Sequence, residues 1–259
     1  MIELSRRGRV AVLTLNRPPV NAINDAMIDA IHSALHELAG HTDWSVLHVR
    51  STQKIFAAGA DLDLVQSWTD APTPSLAFSA YIDRLQALYQ RLVRLPQVTF
   101  CEIGGAAMGG GFELALSCDL RMAAADVKIG LPEVGLGLIP AAGGTQRLTR
   151  LCGRGVASRI ILGGEAIDGR TAETLGMVEW SVPRPEIEER ARTVTDHIAT
   201  LPAAALQAVK QCILAATDDS DRGYHLERDL GGALLNGAET QELISAFLAK
   251  NSKPRQEKH

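Results

Sequence analysis

Two hydrophobic periods alternate along the first two thirds of the chain. Short apolar, β-rich runs at Val10-Ala11-Val12-Leu13-Thr14-Leu15, Val46-Leu47-His48-Val49 and Val98 to Ile103 predict strands, and shorter ones are predicted at Asp119 to Met122, Val127 to Ile129 and Met177 to Val182. Between them the apolar positions recur at helical spacing. Ile28, Ile31, Leu35 and Leu38 predict a helix capped by Asn24 or Asp25, and Ile82, Leu85, Leu88, Tyr89, Leu92 and Leu95 predict a long amphipathic helix stopped by Pro96. Phe112 to Ser117 carries a further helical pattern. Ser67 to Ser75, rich in Asp, Pro, Thr and Ser, reads as a mobile loop. Beyond Gly144 the chain is mostly helical, and after Pro202 only helical patterns remain before a polar, basic tail at Asn251 to His259. Strands alternating with helices predict an α/β fold, and the strand-poor C-terminal third predicts a helical subdomain.

Composition narrows the classes. With 259 residues, 46% hydrophobic and 22% charged, the chain matches ordinary globular proteins. A net charge of -4 gives no support to a nucleic-acid binder. No apolar run approaches the roughly 20 residues that span a bilayer, and Met1 to Arg7 lacks the apolar core of a secretion signal, so a cytoplasmic protein without a membrane partner is expected. Cys101, Cys118, Cys152 and Cys212 are scattered, as free thiols in a reducing compartment would be. His32 and His36 lie one helical turn apart without a third ligand nearby, so no metal site is expected.

The candidate chemistry lies in two glycine turns and two glutamates. The turns are Phe56-Ala57-Ala58-Gly59-Ala60-Asp61 and Met108-Gly109-Gly110-Gly111-Phe112-Glu113. Glycine lets a backbone N–H face a ligand with no Cβ in the way, and a pair of such N–H groups stabilises charge growing on a carbonyl oxygen. The second turn opens a helix, where an exposed N–H also feels the positive end of the dipole. It lacks both the Gly-x-Gly-x-x-Gly spacing of a dinucleotide site and the Gly-Lys-Ser/Thr of a phosphate loop. A tight strand-to-helix turn would explain it equally, and a first-turn dipole partner would explain Glu113. Glu133 sits in Ile129 to Ile139, a segment with no other charged residue, where a carboxylate is either exposed or held with raised proton affinity. The second state is what a general acid needs near neutral pH.

Taken together, Leu15-Asn16-Arg17-Pro18-Pro19-Val20-Asn21-Ala22, Phe56 to Asp61, Met108 to Glu113 with Cys118-Asp119, and Gly130 to Leu148 resemble the enoyl-CoA hydratase/isomerase (crotonase) superfamily. The match runs from about Val10 to Val182, with a looser echo to about Lys250. The resemblance implies a spiral of β-β-α repeats over residues 1–200 carrying an acyl-CoA site. It implies a C-terminal helical trimerisation subdomain over 201–259, in a homotrimer or a hexamer of two trimers. It assigns the oxyanion hole to the N–H groups of Ala60 and Gly110 and acid/base chemistry to Glu113 and Glu133. It places Asn21, Ala22, Asp61, Leu62, Asp63, Lys54 and Lys250 at the CoA. Asp63 replaces a lysine common in the family, and Glu102 falls in a strand usually made of small apolar residues. The implied activity is hydration of 2-trans-enoyl-CoA thioesters, with no cofactor because CoA is part of the substrate. Its rivals are a Δ3,Δ2-enoyl-CoA isomerase relying mainly on Glu133 and a non-catalytic acyl-CoA-binding protein. An RNA-binding side-branch uses a lysine-rich helix, whereas here the Ile82 to Leu95 helix carries Arg84, Arg91 and Arg94.

Overall fold

Six consecutive buried residues make Val10–Leu15 (β2) a strand covered on both faces, as the continuous apolar run demands. In the computed structural model, which describes residues 1–216, 237–240 and 242, it pairs antiparallel with Ile2–Arg7 (β1) and parallel with Val46–Ser51 (β3). Beyond β3 the chain repeats one motif. A strand enters the first sheet, a short strand enters a second sheet, and helix follows. Val46–Ser51 (β3) is followed by Ile55–Ala57 (β4); Val98–Ile103 (β5) by Ala106–Met108 (β6); Leu120–Ala124 (β7) by Lys128–Gly130 (β8). The first sheet therefore reads β1-β2-β3-β5-β7-β10, closed by Trp180–Val182 (β10), and the second β4-β6-β8-β9, closed by Ala166–Asp168 (β9). This is a spiral of β-β-α turns. Each step moves one strand along both sheets, so the C-terminal ends of β4, β6 and β8 come side by side.

The helices between are Asp25–Ala39 (α1), Leu62–Asp70 (α2), Pro74–Val93 (α3), Gly110–Leu116 (α4), Gly144–Leu162 (α5), Gly169–Thr174 (α6) and Ile187–Thr200 (α7). Asn24 caps α1, its side chain accepting the Met27 N–H, and Ile28, Ile31, Leu35 and Leu38 are the buried face. Gly153, at φ 77°, breaks α5 into two pieces. The chain divides into two compact units, Met1–Thr200 and Leu201 onward; the second contains Ala203–Ala215 (α8). Lys250 and the tail at 251–259 lie outside the described residues. No single described helix is long and apolar enough to cross a membrane.

Three sequence expectations change. The segment Ser67 to Ser75 is not a loop: α2 and the start of α3 occupy all but residues 71–73. Ser67, Asp70 and Ser75 are exposed on helix faces, and a local start signal was present, because Asp61 accepts the Asp63 N–H at the head of α2. Strand β1, absent from the prediction, is an edge strand whose exposed positions dilute the apolar pattern. The predicted strand Met177 to Val182 shortens to Trp180–Val182, because Met177 and Val178 are buried in the turn that follows Gly176.

Glu102 has a partner. On β5, under α7, its Oε2 lies 2.9 Å from Nε2 of His48 on β3, off the ideal hydrogen-bonding angle, and both side chains are buried. Phe100 packs edge-on against the His48 ring.

Candidate active site

Close approach of two glycine turns builds the site. Gly59, at φ 95°, presses on the second turn: a Cβ added there would lie 3.2 Å from the Met108 carbonyl and 3.4 Å from the Gly110 nitrogen. Gly109, at φ 53° and ψ −129°, takes a backbone conformation open to glycine alone and starts α4. The carbonyl of Gly109 accepts the N–H groups of Phe112 and Glu113, so the Gly110 N–H points away, out of the helix start. The Gly59 carbonyl accepts the Ile23 N–H at 2.7 Å, and the trans peptide then aims the Ala60 N–H to the opposite side. Neither the Ala60 nor the Gly110 N–H donates to another described residue.

Both glutamates reach this pair. Glu113 is 3% exposed in the first turn of α4, and its Oε1 accepts the Gly144 N–H at 2.7 Å. Its Oε2 faces Gly110, 3.9 Å from where a Cβ would stand. Glu133 opens a 3-10 turn, Glu133–Leu136, right after β8. Its Oε1 lies 2.9 Å from a Cβ placed on Gly109, and its Oε2 is buried with no hydrogen-bond partner among the described residues. Ala60, Gly110, Glu113 and Glu133 line one cavity of about 480 Å³, walled by Val65, Phe78, Tyr81, Ile82, Leu85, Leu138 and Ile139. Burial in these apolar walls pushes the Glu113 carboxyl up to about 7, opposed by the Gly144 N–H and reinforced by the charge of Glu133. Burial also raises the proton affinity of Glu133, against its own backbone N–H. Two carboxyls of raised proton affinity therefore share a mostly apolar cavity with two unpaired amide donors.

The other predicted site residues fall elsewhere. Asn21 is fully buried at φ 50°, its amide donating to Ser51 and to the Ile55 and Phe56 carbonyls while its oxygen accepts the Arg17 N–H. It ties the Arg17–Asn21 turn to β4. Arg17 bonds the Ala22 carbonyl and pairs with Asp61 at 2.5 Å, so Asp61 joins this turn to the head of α2. Leu62 begins α2, and Lys54 and Asp63 are exposed. Asn21, Asp61, Lys54 and Asp63 do not line the cavity. On α3, Arg84 pairs with Asp25 and Asp29, and Arg91 donates to the His32 carbonyl, so these arginines bind α1 to α3. Among the described residues no three metal-ligating side chains cluster. Sequence reasoning missed the α3 side chains that hold the site: Tyr81 donates to the Ile23 carbonyl at 3.0 Å, Gln86 to the Ala141 carbonyl at 2.6 Å and Tyr89 to the Gly110 carbonyl at 2.6 Å. The one sequence signal of the two tyrosines is a polar tip on the apolar face of a helix, while Gln86 is exposed.

The chain is similar to known proteins along nearly its whole length. The sequence profile of the enoyl-CoA hydratase/isomerase family matches residues 5–258. The chain is 36% identical to a 2,3-dehydroadipyl-CoA hydratase of Escherichia coli over 251 residues, 96% of each chain. It is 35% identical to a probable enoyl-CoA hydratase of Mycobacterium bovis over 253 residues, 97% of this chain and 96% of the relative. The crystal structure of an enoyl-CoA hydratase from Bacillus anthracis superposes with a TM-score of 0.89 at 29% identity, covering 96% of each chain.

Proposed function

We propose that this chain, which belongs to the enoyl-CoA hydratase/isomerase family, adds water across the 2,3 double bond of 2-trans-enoyl-CoA thioesters. The observation that carries the reading is the convergence of two proton-binding carboxyls and two free amide N–H groups on one cavity. The thioester oxygen accepts from the Ala60 and Gly110 N–H groups. Water held between Glu113 and Glu133 attacks Cβ; its proton passes to Glu113, and the Cα=Cβ electron pair moves onto the thioester as an enolate. Glu133 delivers a proton to Cα, the enolate collapses, and the net change is one water added. Proton exchange with solvent restores both carboxyls. Each oxyanion donor is worth a factor of roughly 10²–10³ in rate. The unpartnered Glu133 Oε2 supports its part as the proton donor. Only Glu133 would be needed for double-bond migration, so the presence of Glu113 in the same cavity favours hydration.

The CoA moiety leaves the cavity past the head of α2, with the exposed Lys54 toward its phosphates. Asn21, Ala22 and Asp61 shape the adjoining turn, and Leu62 and Asp63 begin the helix beside it. No cofactor is required. Free Cys101, Cys118, Cys152 and Cys212 support a cytoplasmic enzyme, and exposed apolar side chains support a trimer or hexamer. The test is crotonyl-CoA hydration by purified wild type, Glu113→Gln and Glu133→Gln: each variant is expected to fall by roughly 10²-fold or more, the scale of lost acid/base catalysis. Near wild-type turnover in either would remove that glutamate from the mechanism.

A further inference from the structure

The run Gly109-Gly110-Gly111 has no side chain with which to hold itself, and glycine has the widest backbone freedom of any residue. An oxyanion hole built on it works only if the backbone is fixed before reaction, since donors that must reorganise lose much of their effect. From the bonds around both donors we infer that Tyr81 and Tyr89, two turns apart on α3, are positioning residues that hold the two amide donors of the oxyanion hole in place. This rests on the hydratase reading of the cavity.

Tyr89 bonds the residue that carries one donor, and Tyr81 acts on the other through Ile23. The direction of the Ala60 N–H is set by Ile23, whose N–H grips the Gly59 carbonyl at 2.7 Å. The Ile23 carbonyl in turn accepts the Asp61 N–H at 3.1 Å and the Tyr81 hydroxyl at 3.0 Å, so Tyr81 fixes this residue from its other side. At the second donor the contact is more direct: the Tyr89 hydroxyl donates to the carbonyl of Gly110 itself at 2.6 Å. Tyr89 is fully buried and Tyr81 is 4% exposed. Burial raises the proton affinity of both phenolates, keeping both hydroxyls protonated as donors at neutral pH. The Arg147 guanidinium lies 6.0 Å over the Tyr89 ring and donates to the Ala142 carbonyl, near the Gly144 N–H that holds Glu113. One helix thus registers two chain segments, far apart in sequence, against each other. A buried tyrosine needs some partner for its hydroxyl. What sets this pair apart is that Tyr89 binds the residue that carries one donor and Tyr81 the residue that aims the other.

Tyr81→Phe and Tyr89→Phe remove one oxygen each and keep the ring, so both variants are expected to fold. Steady-state crotonyl-CoA hydration is measured together with the red shift in absorbance of bound 2,4-hexadienoyl-CoA, whose conjugated carbonyl reports its own polarisation. Thr195→Val, which deletes a buried hydroxyl on α7 away from the cavity, is the stability control. Each tyrosine variant should lose roughly tenfold in kcat, less than deletion of a donor outright, with KM within about twofold and a smaller red shift. The control should keep kcat and red shift at equal or greater loss of Tm. Unchanged kcat and red shift in both tyrosine variants would overturn the inference, as would an equal fall in the control. The red shift reads the oxyanion hole even in a wild type that adds no water, so failure of the hydratase reading and failure of this one are told apart.

Discussion

Glu113 binds its proton far more tightly than an exposed glutamate because the folded chain surrounds it with apolar walls. Its folded value near 7 lies above the ordinary 4.5, so between those pH values the native state holds more protons than the unfolded one. Stability from this group is complete below about pH 4.5 and is lost as pH rises through about 7, by an amount on the order of 3 kcal/mol. Glu113→Gln keeps an acceptor for the Gly144 N–H but carries no charge. Its urea midpoint is therefore expected to exceed that of wild type at pH 8 and to approach it at pH 5, while hydration is lost; a variant less stable at pH 8 would contradict the burial argument. Gly109→Ala should abolish hydration, because φ 53° strains any side chain and its Cβ would meet Glu133 Oε1 at 2.9 Å. Much of this was legible at the level of single residues. The uncharged run around Glu133 marked a carboxyl in apolar surroundings, and the glycines marked exposed amides. The convergence was not legible, because separation along the chain fixes no distance in space, and the tyrosine hydroxyls read as ordinary members of a helical stripe.

At the level of elements, close packing explains why small residues stand where they do. A Cβ on Gly111 would lie 2.2 Å from the Ala57 carbonyl, a backbone atom that cannot give way, so α4 rests directly on β4. Gly111→Ala is expected to cost roughly 1–3 kcal/mol in urea denaturation and to reduce hydration through the displaced helix start. Wild-type stability would show that α4 does not press on the strand as described. The buried pair of His48 on β3 and Glu102 on β5 makes a different prediction. Glu102→Ala leaves the buried His48 ring without its polar neighbour and is expected to cost roughly 1–3 kcal/mol, whereas His48→Phe with Glu102→Leu should cost less than the single change. Equal losses would mean that the pair is not coupled. The central strands and α1 followed from period and caps because burial on both faces leaves an unbroken apolar signature. Strand β1 and helix α2 did not, since an edge strand and a solvated helix both dilute the pattern with polar residues.

At the level of the whole molecule, exposed apolar side chains divide into two kinds. Leu136 and Ile139 are 76% and 66% exposed yet line the cavity, so an acyl chain would cover them. Leu162, Val209 and Ile213, at 75%, 57% and 65% exposed, are not part of that lining and need another explanation. Val209 and Ile213 stand four apart on α8, on one face of that helix. Large apolar side chains left in water mark surfaces that meet another protein, and in a closed symmetric assembly the same patch serves every copy. With a chain of 27.7 kDa, sedimentation equilibrium is expected to give about 83 kDa for a trimer, three copies, or twice that for paired trimers. Replacing Val209 and Ile213 by glutamate puts like charges on the face that would be covered, and should bring the mass toward that of a single chain. A wild type that sediments as a single chain at micromolar concentration would leave these residues without a partner and end the oligomer proposal. Hydration by that single chain would then show that one copy holds the catalytic geometry without a neighbour.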